Sequence, residues 1–342
     1  MSFGRLAGNA RVREALRNAI ARDRLPHALL FAGPDGVGKR RFALELAKAV
    51  TCHDPRSGDA CDRCVSCLQV EAGEHPDVRT YEPDGTFLKI AQMRELAREA
   101  QYQPFDGRRR VFIVDAAHQM REEAANATLK TLEEPPATTL IVLVTDQAYA
   151  LLQTIRSRCQ ALWFAPVSPD EIERFLAENY KRPADETRLL ARIAAGRIGR
   201  AVATDLSAYR DQRKEMLGLV ELLGGEVDRV RLMKAAQFLA DVGRKDRAEF
   251  DTRLQIFTLL CHDIHALALG GPPDDVANAD IAERLAELAA AIPADRVAGW
   301  AEAISRLREQ LRQNVNRQLA LESILLSPEA QGVRAPGEMR DV

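Results

Sequence analysis

The chain has 342 residues, 46% of them hydrophobic and 5% aromatic, with 48 Lys and Arg against 50 Asp and Glu. That is enough apolar material for two or three ordinary cores, and it excludes a disordered or fibrous chain. A formal net charge of −2 excludes a protein that coats nucleic acid or membrane by bulk charge, so any nucleic-acid role is local or indirect.

The first two dozen residues are Arg-rich, but Glu14 and Asp23 interrupt them and they run straight into a strand pattern, so they read as a domain helix. No run approaches the roughly 18 apolar residues of a membrane span. A cytoplasmic protein without membrane contact is expected. Up to about residue 165, helical periodicity alternates with short apolar runs, the pattern of a parallel sheet covered by helices. The first strand, His27 to Ala32, runs into Gly33-Pro34-Asp35-Gly36-Val37-Gly38-Lys39-Arg40, and a helix opens near Gly38. Such a loop turns backbone N–H groups toward a phosphate, adds the positive end of a helix, and lets Lys39 reach the outer phosphates. The last position should be Ser or Thr to bind Mg²⁺, and Arg40 cannot. Nucleotide binding and a ligand-free glycine turn both stay open, and hydrolysis is not expected.

Cys52, Cys61, Cys64 and Cys67 follow as C-x8-C-x2-C-x2-C, four of the chain's six cysteines within sixteen residues. Four soft thiolates at this spacing can close a tetrahedral Zn²⁺ site with no open position, so a structural zinc is expected. The C-x3-C-P ending of a ferredoxin-type cluster is missing, and a redox C-x-x-C would leave two thiols unexplained. His53 and His75 read as surface residues.

Strands are expected at Val78 to Tyr81, Arg110 to Val114, Leu140 to Thr145 and Ala161 to Phe164, and helices over about Ile90 to Gln101 and Arg121 to Glu133, the latter stopped by Pro135 and Pro136. Asp115 ends the third strand where an acid would orient Mg²⁺. Ala116, Ala117 and His118 follow it, so the Glu that polarises water in hydrolytic relatives of such sites is absent. Asp115 alternatively caps the next helix or pairs with Lys39. Ser157-Arg158-Cys159 follows the last strand–helix connection. An arginine at such an edge makes a modest surface ion pair, or reaches a neighbouring subunit's γ-phosphate as a finger.

At Ala165 to Asp170 the pattern changes: Ser168 can cap a helix with Pro169 in its first turn, and everything beyond reads as helical. The expected organisation is an α/β domain over 1–166 with its zinc module at about 52–67, a small helical domain over 167–207, a larger all-α domain over 208–328, and a frayed tail over 329–342. A single amphipathic helix is expected from Arg306 to Leu326, with Leu307, Leu311, Val315, Leu319 and Ile324 to Leu326 on its apolar face, set against neighbouring subunits or its own domain.

Together these residues resemble the delta-prime subunits of the bacterial DNA polymerase III clamp loader, AAA+ proteins related to the gamma/tau subunits and to the small subunits of eukaryotic replication factor C. The resemblance covers nearly the whole chain. It includes Leu25-Pro26-His27-Ala28-Leu29-Leu30-Phe31 before the loop, the four-cysteine insertion, Asn126 to Pro136 with its Leu-Glu-Glu-Pro-Pro, Thr145 at the sensor 1 position, Ser157-Arg158-Cys159, and Asn314 to Leu319 as the start of the last collar helix. Gamma/tau subunits keep the hydroxyl after the loop lysine and an Asp-Glu pair; this chain has neither.

The resemblance therefore implies an AAA+ P-loop sheet with a helical lid over 167–207 and a collar domain over 208–328, a structural zinc, and a subunit of the polymerase III holoenzyme with no ATPase of its own. It implies Arg158 as a finger in trans within the motif of Ser157 and Cys159, and a degenerate nucleotide site made of Gly33, Gly36, Gly38, Lys39, Asp115 and Thr145, with ATP and Mg²⁺ not counted as expected cofactors. The implied role is a stator that assembles with delta and gamma/tau and supports loading of the β sliding clamp, with primed DNA reached through the complex. Gly196-Arg197-Ile198-Gly199-Arg200-Ala201 is shifted from the gamma/tau sensor 2 pattern, so a helix-start surface role is expected there. The alternatives are an active gamma-like AAA+ ATPase, or a zinc-bearing nucleic-acid-binding module working outside the loader.

Overall fold

A computed structural model of the chain describes residues 3–226, 228–310 and 316–327. The described residues fall into two compact units, one formed by the chain up to Arg182 together with Ala194–Val202, the other by Pro183–Ile193 together with residues from Ala203 onward.

The first unit runs α1 (Ala10–Ala21), β1 (Ala28–Ala32), α2 (Lys39–Thr51), α3 (Val65–Ala72), β2 (Val78–Tyr81), α4 (Ile90–Glu99), β3 (Arg110–Val114), α5 (Glu122–Glu133), β4 (Thr139–Thr145), α6 (Gln153–Arg156), β5 (Gln160–Trp163) and α7 (Pro169–Tyr180). All five strands pair in parallel in the order β2-β3-β4-β1-β5, with Leu30 opposite Leu143 on one side and Ala161 on the other. This is the parallel, helix-covered sheet expected from the sequence. Helices cover both faces, so the inner strands are continuous apolar runs, fully buried in β1, β3 and β4.

Alternate strand residues divide two cores. Leu29, Phe31, Ile113, Val142 and Val144 pack with Phe42 and Leu46 of α2, Leu16 of α1, Phe3 and Phe164. Leu30, Phe112, Val114, Ile141 and Leu143 pack with Met93 and Leu96 of α4, Leu132 of α5 and Ile155 of α6. Burying a side chain of this size is worth roughly 1.5–3 kcal/mol, so these two layers fix the sheet that carries the loop after β1. Ser168 caps α7 by accepting from the Glu171 N–H at 3.3 Å, with Pro169 at the first helical position, as expected.

The second unit is all helical: α8 (Ala184–Ile193), then, after α9 (Ile198–Ala203), α10 (Leu206–Gly224), α11 (Arg229–Lys245), α12 (Arg247–Ala268), α13 (Ala282–Ala291), α14 (Ala294–Gln310) and α15 (Arg317–Leu325). The central α12 packs on α10, α11, α13 and α14 through Phe250, Phe257, Leu260 and Ile264. A buried polar staple ties the loop before α13 to this core. Asp263 accepts from the Ala277 and Asn278 backbone N–H groups at 2.8 and 2.9 Å, and Asn278 accepts from the Tyr209 hydroxyl at 2.7 Å.

The single helix expected from Arg306 to Leu326 is instead two. α14 ends at Gln310, and α15 begins at Arg317 behind Asn316, whose side chain accepts from the Gln318 and Leu319 N–H groups at 3.1 and 3.3 Å. The reason is local: an Asn cap opens a helix more readily than it continues one. Leu307, Leu321 and Leu325 are buried, whereas Leu319 is 63% exposed. Leu311, Asn314, Val315 and the tail from 328 lie outside the described residues. Among the described residues no helix is long and apolar enough to cross a membrane.

Candidate functional site

The loop between β1 and α2 sits at the carboxyl end of β1, between β4 and β5, where open parallel sheets take their ligands. Gly36 and Gly38 adopt φ of 75° and 97°, backbone that side-chain-bearing residues rarely accept. Lys39 is buried, and its Nζ donates to the Gly33 and Pro34 carbonyls at 2.8 and 2.7 Å, closing the loop on itself. Burial pulls its pKa below the ordinary lysine value, while Asp35, Asp146 and Asp115 act against that.

Asp115 pairs with neither Lys39 nor α5. Its Oδ1 accepts from the adjacent Ala116 N–H at 2.9 Å, and its Oδ2 lies 3.7 Å from Nη1 of Arg40, which also ion-pairs with Glu82. The short 3-10 turn Ala117–Gln119 follows Ala116 with no side-chain cap, and α5 begins only at Glu122 behind Arg121, so the helix-cap reading fails along with the Lys39 pairing. Thr145 is buried at the end of β4, where its Oγ1 accepts from the Gln147 N–H at 3.0 Å and lies 3.1 Å from Nδ1 of His118. The same His118 nitrogen is 3.1 Å from Asp146 Oδ1. Gly33, Gly36, Gly38, Lys39, Asp115 and Thr145 thus gather at one end of the sheet.

Two participants escape a reading by local pattern. Gly199 N–H donates to the Gly36 carbonyl at 2.8 Å, and a Cβ added at Gly36 would meet the Cβ of Arg197 at 3.1 Å. Gly196 to Ala201 therefore contains the expected helix start, at Ile198, but covers the loop with Ile198 and Ala201 buried instead of serving only the surface. Arg197 faces Lys39 closely enough to depress the lysine pKa. No residue pattern marks a contact that spans 160 positions.

The cysteine cluster lies on the other side of α2. Cys52 is at the C-terminal end of α2, Cys64 caps α3, Cys67 lies in the first turn of α3, and Cys61 lies in the loop between. Their Sγ atoms all fall within 4.8 Å of one another, with Cys52 and Cys64 sulfurs 3.9 Å apart and no disulfide among them. A tetrahedron with Zn–S of about 2.3 Å has sulfur–sulfur edges of about 3.8 Å, so the four thiols could hold a metal ion. The N–H of Arg63 draws the Cys61 thiol down to about 6, whereas burial pushes Cys52 and Cys67 up.

Beside them Lys48, buried in α2, is bonded to Asp62 at 3.0 Å and to Glu71 and Glu45 at 2.9 Å each, and Arg41 grips Glu71 at 2.6 and 2.9 Å. This ion network fastens the cysteine loop and α3 onto α2. His53 is half-exposed, 3.1 Å from Asp106. His75, expected at the surface, is only 2% exposed. Its Nδ1 accepts from the Asp77 N–H at 3.1 Å, which leaves the ring proton on Nε2, 3.1 Å from the Ser66 hydroxyl. The ring is thus spent on joining α3 to β2.

Ser157-Arg158-Cys159 forms the turn between α6 and the edge strand β5. Arg158 is about one-third exposed; its Nη2 meets Glu133 at 2.6 Å and its Nη1 donates to the Thr154 carbonyl at 2.8 Å. Ser157 Oγ donates to the same carbonyl at 3.1 Å, and Cys159 packs against the core on the α4 and α5 face of the sheet, its thiol pushed up to about 12 by burial.

The family described as "DNA polymerase III, delta subunit" matches residues 8–168, and "DNA polymerase III, delta subunit, C terminal" matches 212–329. The chain is 32% identical to DNA polymerase III subunit delta' of Bacillus subtilis over 92% of this chain and 94% of that one. It is 29% identical to subunit delta' of Escherichia coli over 88% of each chain. Subunit tau of Escherichia coli is 28% identical over 98% of this chain but only 55% of its own length.

Proposed function

The chain belongs to the family of DNA polymerase III delta-prime subunits, and from that footing we propose that it acts in the clamp loader as a non-hydrolysing stator. It joins delta and gamma/tau, donates Arg158 in trans to the nucleotide of an adjacent gamma/tau subunit, and supports ATP-dependent placement of the β sliding clamp on primed DNA. The working parts are the α/β domain over 1–166, the lid over 167–207 and the collar over 208–328.

One observation carries the reading. Where a hydrolysing loop keeps a metal-binding hydroxyl, this chain has Arg40, lodged beside Asp115, and the position after Asp115 is Ala116. Neither the metal nor the attacking water has its ordinary ligand, while Arg158 stands at a sheet edge. The degenerate loop then serves as a rigid platform beneath Gly196 to Ala201. The four thiols hold a structural Zn²⁺ that pins the insertion to α2, because all four positions are taken by protein and none is open for catalysis.

The experiment is ATP turnover by the purified chain alone, with Lys39→Ala as control. The expected result is no turnover above background in either protein. Turnover that disappears in Lys39→Ala would install the gamma-like ATPase reading instead.

A further inference from the structure

The carboxyl ends of three neighbouring strands each present an acid just past the last strand residue: Glu82 after β2, Asp115 after β3 and Asp146 after β4. In a phosphate loop this edge is where a divalent cation is held. Mg²⁺ requires near-octahedral oxygen coordination and uses one or two carboxylates together with water and phosphate oxygens.

Here the acids already have partners from the chain. Arg40 ion-pairs with Glu82 and places Nη1 3.7 Å from Asp115 Oδ2, and His118 Nδ1 lies 3.1 Å from Asp146 Oδ1. Lys39, the other cation of the loop, is turned onto the Gly33 and Pro34 carbonyls. A guanidinium offers donors only, cannot ligate a metal, and repels a dication placed at the same carboxylate. The donor set that the loop motif implies for Mg²⁺ is therefore not present.

We infer that Arg40 takes the place of the divalent cation, so that this sheet end excludes Mg²⁺ and any oligophosphate seated on the loop gains nothing from it. The inference rests on reading Gly33 to Arg40 as a degenerate phosphate loop, and it goes beyond loss of hydrolysis by naming the residue that refuses the metal. It also specifies what would restore metal binding: a hydroxyl at position 40 together with a freed Asp115.

Isothermal titration of the full-length chain with ATP, in MgCl₂ and in EDTA, tests this without partner subunits. Wild type is expected to give the same affinity in both buffers within about twofold, or no binding in either. Arg40→Thr is expected to bind about tenfold or more tightly in MgCl₂ than in EDTA, and Arg40→Thr with Asp115→Asn is expected to lose that gain. A wild-type chain that binds ATP about tenfold tighter with Mg²⁺ overturns the inference. So does an Arg40→Thr chain with an unchanged melting curve and no gain from Mg²⁺. The wild-type comparison alone can overturn the inference even if the variant does not fold. Either failure leaves the trans role of Arg158 intact, since that role is read in the assembled loader.

Discussion

Glu71, at the seam between α3 and α2, shows how one carboxylate ties the cysteine module to its support. Hydrogen bonds from Arg41, with help from Lys48, pull its pKa from the ordinary 4.5 to about 2. A depressed acid contributes stability above its unfolded value and loses it as pH falls through the folded one. The chain's melting temperature should therefore decline between about pH 4.5 and pH 2 partly through this residue, and Glu71→Gln should flatten that decline while starting lower at neutral pH. A variant whose profile overlays wild type would remove Glu71 from the account. At the cysteines the proposed zinc sets a second expectation. Cys64→Ser, which replaces the thiol 3.9 Å from Cys52, should abolish zinc retention as read by elemental analysis under reducing conditions, and a chelator should lower the wild-type melting temperature. Wild-type protein purified without zinc would end that proposal.

Between elements, long-range polar contacts fix the geometry. Asp77, buried just before β2, accepts the backbone N–H groups of Phe105 at 2.7 Å, Asp106 at 2.7 Å and Gly107 at 2.8 Å, fastening the loop that leads into β3. Burial alone would raise its pKa, but these three donors outweigh burial and hold it below the usual carboxylate range. Asp77→Ala strands those donors and should cost about 3 kcal/mol in urea unfolding, with Asp77→Asn costing less. The strands were legible because runs such as Val111-Phe112-Ile113-Val114 are apolar on both faces, a pattern only a doubly covered sheet explains. The cysteine cluster was legible because its ligands are close in sequence. The partner of Arg40 was not, since Glu82 lies just past the end of β2 and its approach to α2 depends on sheet order. The packing of Gly196 to Ala201 on the loop was hidden for the same reason. His75 was misplaced because a polar residue between Glu74 and Pro76 carries no periodic sign of burial; only its bonds to Asp77 and Ser66 reveal it. Apolar spacing continues across the break between α14 and α15 and hides it, and the Asn316 cap overrides that spacing; only the resemblance at Asn314 to Leu319 pointed to a helix start there.

Across the whole molecule, the proposed division of labour places the chain's chemistry in another subunit's active site. Arg158 is held by Glu133 through a partly exposed ion pair, and such pairs are worth about 0–1 kcal/mol. The guanidinium can therefore exchange Glu133 for a phosphate oxygen at little cost, while the Thr154 carbonyl continues to orient it. The most direct test is ATP hydrolysis by gamma/tau and delta with β clamp and primed DNA, comparing added wild-type chain with Arg158→Ala. The account predicts that both chains assemble equally. Only wild type should stimulate hydrolysis at the site it serves, where a fully used finger contributes about 10³-fold or more. Equal ATPase and clamp loading from the two chains would contradict it.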